Sequence, residues 1–281
     1  MNKDEFGDLL ADIGGGREIG IAARRERDAA EQEVLSQHEA QIWALLCLGD
    51  ALHQFYRDSL DLVRVNISRT APTDVQIAML HWHVVSFNRF AAAFDLMAHG
   101  YYFEAMVLAR DLWEVALSLA GLKRNVVTLN ELLASNTRTG REAEELSRKS
   151  DAKIRRVLIW ENAALSDKAR KAVETFGGIA NLAMHKSKLH LGLNMSHVVS
   201  GHATPIFPRF DVKRASVAHN VFYLSSWSIV STLPYLDFAL GTTNLTWRRR
   251  YDKVQVAFRE GLATGPNLVV QAWPEIIDQV F

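Results

Sequence analysis

The chain is expected to fold as an all-α protein, a helical bundle built round a central antiparallel helix hairpin. Three observations lead there. Only six of 281 residues are proline and none precedes Pro72, so long uninterrupted helices are permitted. Apolar residues recur at spacings of three and four, as in Ala40, Trp43, Ala44, Cys47, Leu48 and Ala51, the period of a half-buried helix. No alternating apolar and polar run is long enough to specify a sheet, with room at most for a short hairpin within residues 189–206.

Composition narrows the class of protein. Hydrophobic residues at 48% and charged residues at 23% are those of a folded chain and exclude wholesale disorder. The 32 basic side chains balance the 32 acidic ones, which removes any global drive toward nucleic acid or acidic lipid. A lone cysteine, Cys47, excludes a disulfide framework and a cysteine-rich zinc site, and fits a reducing cytoplasm. The start, MNKDEFGDLL, is acidic where a signal peptide is basic and apolar. Residues 189–208 and 215–236 lack charge, but glycines and prolines break the first, and His219, Asn220, Pro234 and many hydroxyls interrupt the second. No membrane span and no membrane partner are therefore expected.

The elements follow in order. Residues 1–16 end in Gly14, Gly15 and Gly16 and form a flexible N-terminal segment; residues 17–281 are expected to form one helical-bundle domain. A helix covers 17–65, its stretch AARRERDAAEQE carrying both signs of charge as a solvated face does. NISRTAPTD, residues 66–74, is a turn in which Thr73 or Asp74 caps the next helix. That helix carries Ile77, Leu80, Val84, Phe87, Ala91, Phe94 and Met97 and stops at His99-Gly100. A third helix, 102–122, doubles back on it. Residues 138–171 are dense in charge and read as one or two amphipathic surface helices. Gly177-Gly178 interrupts the chain before residues 181–190, and an irregular excursion runs to Pro208. One long helix over 212–240 and a short one over 247–262 complete the expected bundle.

Two segments carry candidate chemistry. In AMVLARDLWEVALSLAGL the charged residues are Arg110, Asp111 and Glu114. Arg110 and Glu114 are four apart, on one helix face, with arginine leading, which is the less favourable order for local helix stability. Such charges within an apolar helix need partners in the fold, either in a mutual salt bridge or as the wall of an interior polar pocket. GGIANLAMHKSKLHLGLNM contains His185, Lys186, Ser187 and His190, which combine donors, a base and a cation. His185 and His190 diverge by about 140° on an ideal helix, so they do not share one ion there.

No metal and no cofactor are expected. Asp95 and His99 have a ligand spacing, but Glu-x-x-His occurs nowhere. His81 and His83 point to different faces. Phosphate-cradling loops, a dinucleotide fingerprint and a nucleophile elbow are missing from the sequence. Arg248, Arg249 and Arg250 beside Trp247 and Tyr251 form a basic, aromatic patch that reads as a solvated helix end more readily than as a nucleic-acid platform.

HGYYFEAMVLARDLWEVALSLAGL and FGGIANLAMHKSKLHLGL together resemble the uncharacterised all-helical bacterial proteins of domain-of-unknown-function family 5677. That family has a small-x-x-Leu-x-Arg-x-x-x-Glu helix, matched by Arg110 and Glu114, and a later His-Pro-Ser-like segment. His185 and Ser187 match the second, with Lys186 where proline is common. The likeness covers residues 75–193 and implies a bundle in which the Arg/Glu helix faces the histidine segment. It implies no reaction. A broader similarity is to HEPN (higher eukaryote and prokaryote nucleotide-binding) domains, helical bundles of which many are metal-independent ribonucleases with Arg-x4–6-His on a helix paired across a dimer. Arg214 and His219 in KRASVAHN fit that spacing, with Ala215 where a polar residue usually follows the arginine. The expected function is thus a cytoplasmic binding or regulatory protein with a buried Arg/Glu/His pocket, in bacterial defence or stress response. The competing expectation is a homodimeric ribonuclease acting on RNA through Arg214 and His219.

Overall fold

A computed structural model describes residues 17–134, 139–184, 210–241, 244–263 and 268–281, and these contain helices and no strand. The helices are α1 (Arg17–Asn66), α2 (Asp74–Ala98), α3 (Tyr102–Lys123), α4 (Leu129–Leu133), α5 (Gly140–Arg155), α6 (Asp167–Met184), α7 (Val212–Ser231), α8 (Asp237–Leu240), α9 (Leu245–Ala263) and α10 (Leu268–Val280). The protein is all-α. Among the described residues no helix is long and apolar enough to cross a membrane.

Local chemistry sets the boundaries around the middle of the fold. Thr73 and Gln76 form a reciprocal capping box at the start of α2, which satisfies two otherwise orphaned amides. At the other end Gly100 has φ +88°, Tyr101 N–H donates to the Leu96 carbonyl at 2.8 Å and Gly100 N–H to Met97 at 3.1 Å. This paired closure needs a left-handed residue, which glycine supplies without strain. The chain then turns directly into α3.

Helix α3 packs most extensively against α2 and α7, which also touch each other. The expected two-helix centre is thus a three-helix group. Ala105, Ala109, Ala116 and Ala120 are buried along α3, and side chains this small let neighbouring helices approach closely. Helices α6 and α10 pair with each other and lean on this group, where Trp113, Phe176, Trp273 and Phe281 make a cluster of edge-on and tilted rings with centroids 4.8 to 5.6 Å apart. Such aromatic pairs add to plain area burial. The second half of α1 buries Leu52, Phe55, Tyr56, Ser59 and Val63.

Four expectations about elements are corrected. Gly177 and Gly178 do not interrupt the chain: α6 runs through both. Their neighbours Ala172, Val173, Phe176 and Ala180 are buried, and burial of that face outweighs the weak helix propensity of glycine. The long helix over 212–240 stops at Ser231, because Pro234 opens a 3-10 turn, Leu233–Leu236, having no N–H to continue the ladder. Helix α1 is not one rod: Ile42 has φ −138° and ψ 30°, outside helical geometry. Helix α10, with Pro274 inside it, was not expected at all, since a proline in thirteen residues masks the apolar period.

Candidate functional site: a buried histidine pair at the head of α7

Arg110 and Glu114 do meet, with Nε and Oε1 3.5 Å apart. They are not sequestered, however. Their side chains keep 23% and 29% of their surface exposed. From α5, Arg155 Nη2 donates to both Glu114 oxygens at 2.5 Å. Asp151 borders the same cleft with Leu117, Ser118 and Ile154, and its carboxyl is pushed above the usual range by burial and then by the charge of Glu114. Arg155 comes from α5 and Glu114 from α3, so this ion pair clamps the two helices together. The sequence pattern missed Arg155 and Asp151 because neither is near Arg110 in the chain; only the packing of α5 on α3 brings them there. His185, Lys186, Ser187 and His190 lie outside the described residues.

Arg214 and His219 fall at the head of α7. Asp211 caps that helix, accepting from Lys213 N–H at 2.9 Å and Arg214 N–H at 3.0 Å, and its second oxygen lies 3.7 Å from Arg214 Nε. His219, one turn on, is 4% exposed. Its ring stacks on Tyr223 at 5.9 Å and meets the ring of His38 edge-on at 5.5 Å. Neither ring nitrogen of His219 has a hydrogen-bond partner. Burial, then the neighbouring His38, holds its pKa down to about 3, so it is neutral at pH 7, with one donor and one acceptor nitrogen unanswered.

His38 arrives from α1 and is fully buried. Its Nδ1 lies 2.9 Å from the Ala98 carbonyl, which can only accept, so Nδ1 carries the proton and Nε2 accepts from the Tyr102 hydroxyl at 3.2 Å. Phe210 packs edge-on against the His38 ring at 4.9 Å. Burial lowers the His38 pKa, opposed by its backbone hydrogen bonds. The Tyr102 pKa is raised, chiefly by burial, while the Asp211 backbone and the Arg214 charge pull it back. Tyr102 therefore stands between the Asp211 cap and the histidine pair. Sequence reading missed His38 and Tyr102: Val34 and His38 share a helical face, but the surrounding EVLSQHEAQI reads as solvated surface.

The remaining candidates are structural. His83 is fully buried, with Nδ1 2.9 Å from the Tyr56 hydroxyl, and it serves the core. Asp95 and His99 approach at 3.3 Å, and among the described residues no three His, Cys, Asp or Glu side chains gather to hold a metal. At the start of α9 Trp247 Nε1 donates to Ser59 Oγ at 2.9 Å and Arg250 pairs with Asp58 at 2.9 Å, while Arg248 and Arg249 are exposed.

Compared with family models, with curated proteins and with solved structures, the chain matches none.

Proposed function

We propose that this chain is a binding protein, regulatory rather than catalytic, whose ligand seat is formed by His38, Tyr102, Arg214 and His219. One observation carries the reading: His219 is buried with both ring nitrogens unanswered. A buried polar group in that state costs about 1–3 kcal/mol, and a ligand that supplies the missing partner recovers it. The likeness to family 5677 in the segments around Arg110 and His185 suggests a setting in bacterial defence or stress. The test is a nuclear magnetic resonance titration of 15N-histidine-labelled protein, with inorganic phosphate, acetate and uracil as probes and His219→Gln to assign the signal. The reading requires one probe to shift the His219 ring nitrogens saturably while His83 stays still. If all three leave His219 unmoved at millimolar concentration, the seat is rejected.

A second reading, a metal-independent ribonuclease working as a homodimer, uses the same end of α7. It is favoured by the placement of Arg214 and His219 on the first turns of one helix, with the His219 ring edge-on to His38. Arg214 would stabilise phosphate charge and His219 would move the proton. The burial of His219 stands against a polymer reaching it in this conformation. RNA cleavage by the wild type, lost in His219→Ala with an unchanged circular dichroism spectrum, would favour this reading over binding alone.

A further inference from the structure

The histidine pair is assembled from two parts of the chain that differ sharply in how firmly they are held. His219 sits on α7, within the most densely packed group of helices. His38 sits on the part of α1 that precedes the non-helical residue Ile42. Just after that break, Gly49 presses its backbone on Phe94: a Cβ there would lie 2.1 Å from the ring. The following turns bury Leu52, Phe55, Tyr56, Ser59 and Val63. Before the break, residues 24–41 are mostly exposed, with Val34 and His38 as their buried side chains. Their polar attachments are few. Tyr101 donates to Glu31 at 2.7 Å, His38 donates to the Ala98 carbonyl and Tyr102 donates to His38.

We infer that residues 24–41 are a hinged cover, which carries His38 into the ligand seat and swings about Ile42 to admit a ligand to His219. The inference rests on the reading of His219 as part of a ligand seat. The geometry supplies each part it needs. Ile42 already lacks helical geometry, so bending there breaks no regular turn. The contact of Gly49 with Phe94 anchors the chain beyond the hinge. Among the described residues the cover closes through Val34, three hydrogen bonds, two of which involve His38, and the edge-on contacts of the His38 ring with Phe210, Tyr102 and His219. A segment held by few contacts among the described residues therefore delivers His38 to the site, and local opening is expected to concentrate there.

The experiment combines amide hydrogen exchange with acylation of histidines by diethylpyrocarbonate on the full chain, read peptide by peptide. Residues 24–41 should exchange at least tenfold faster than residues 52–63, and His219 should be acylated faster than the fully buried His83. Tyr101→Phe removes the Glu31 latch without emptying the space. It should speed exchange of residues 24–41 and acylation of His219 by the same several-fold factor, leaving His83 unchanged. Exchange of both halves of α1 as one unit overturns the hinge. Faster exchange of the cover with unchanged acylation of His219 overturns its role as a gate. The phosphate, acetate and uracil titration separates this from the underlying reading. A cover that opens with no probe bound leaves the hinge standing and removes the ligand seat. A probe that reaches His219 in protein whose two halves of α1 exchange together removes the hinge and leaves the seat.

Discussion

Glu114 shows how one side chain can hold two arginines. Arg155 reaches it with both carboxylate oxygens engaged, and Arg110 approaches from one turn away on its own helix. The i, i+4 pair alone would contribute a few tenths of a kcal/mol. The value of Glu114 lies in the contact between helices. Removing it takes from Arg110 and Arg155 the carboxylate they share and leaves Asp151 as the acid bordering the cleft, a smaller penalty than in a sealed core because water screens these charges. Glu114→Ala is expected to destabilise the fold by about 1–2 kcal/mol, lowering Tm by about 2–6 °C for a chain of this size. A calorimetric scan checks this, and a melting curve identical to wild type would mean the clamp contributes nothing.

Glycine behaves oppositely in α1 and α6, and the difference belongs to the elements. Gly49 is where α1 and α2 touch, and a Cβ would enter the Phe94 ring. Gly177 and Gly178 lie in α6 with nothing within 4 Å of the position a Cβ would take. Ala at either α6 site adds helix propensity and removes unfolded-state freedom, which is worth about 0.5–1 kcal/mol each. Ala at position 49 forces the ring aside at a cost of about 1–3 kcal/mol. Urea denaturation of the three single variants should therefore raise the midpoint for Gly177→Ala and Gly178→Ala and lower it for Gly49→Ala. A fall for the α6 variants would show that these glycines are needed for packing that the isolated Cβ positions do not reveal.

Across the molecule, three imidazoles that are buried among the described residues couple stability to pH. Burial holds His83 and His219 down to about 3, helped at His219 by His38 and opposed at His83 by a hydrogen bond to the Thr232 backbone, and His38 is lowered in the same direction by burial. Unfolded histidine titrates near 6.5. Between these values the unfolded chain binds more protons than the folded one, so stability rises with pH across that window. It is complete above about 6.5 and is lost progressively as pH falls toward 3. At pH 4 each deeply buried imidazole costs on the order of 3 kcal/mol. Urea midpoints should drop steeply from pH 7 to pH 4, and His219→Gln should flatten the slope. A pH-independent midpoint over that range would mean the imidazoles are solvated in the folded state.

The all-α class, the turn at residues 66–74, the cap at Thr73 and the stop at Gly100 were legible in the sequence because each depends on neighbours within a few residues. Capping, left-handed glycine and apolar periodicity act over one turn of chain. The meeting of Arg110 with Glu114 was legible for the same reason, being a property of one helix. Tertiary structure alone decided how exposed that pair is and that Arg155 closes it, since α5 lies some forty residues away in the chain. It alone carried α6 through two glycines, and it alone brought His38, sixty residues before its partner carbonyl, against His219. Contacts of that range are selected by which faces the whole bundle can bury at once, and no local pattern of residues encodes that choice.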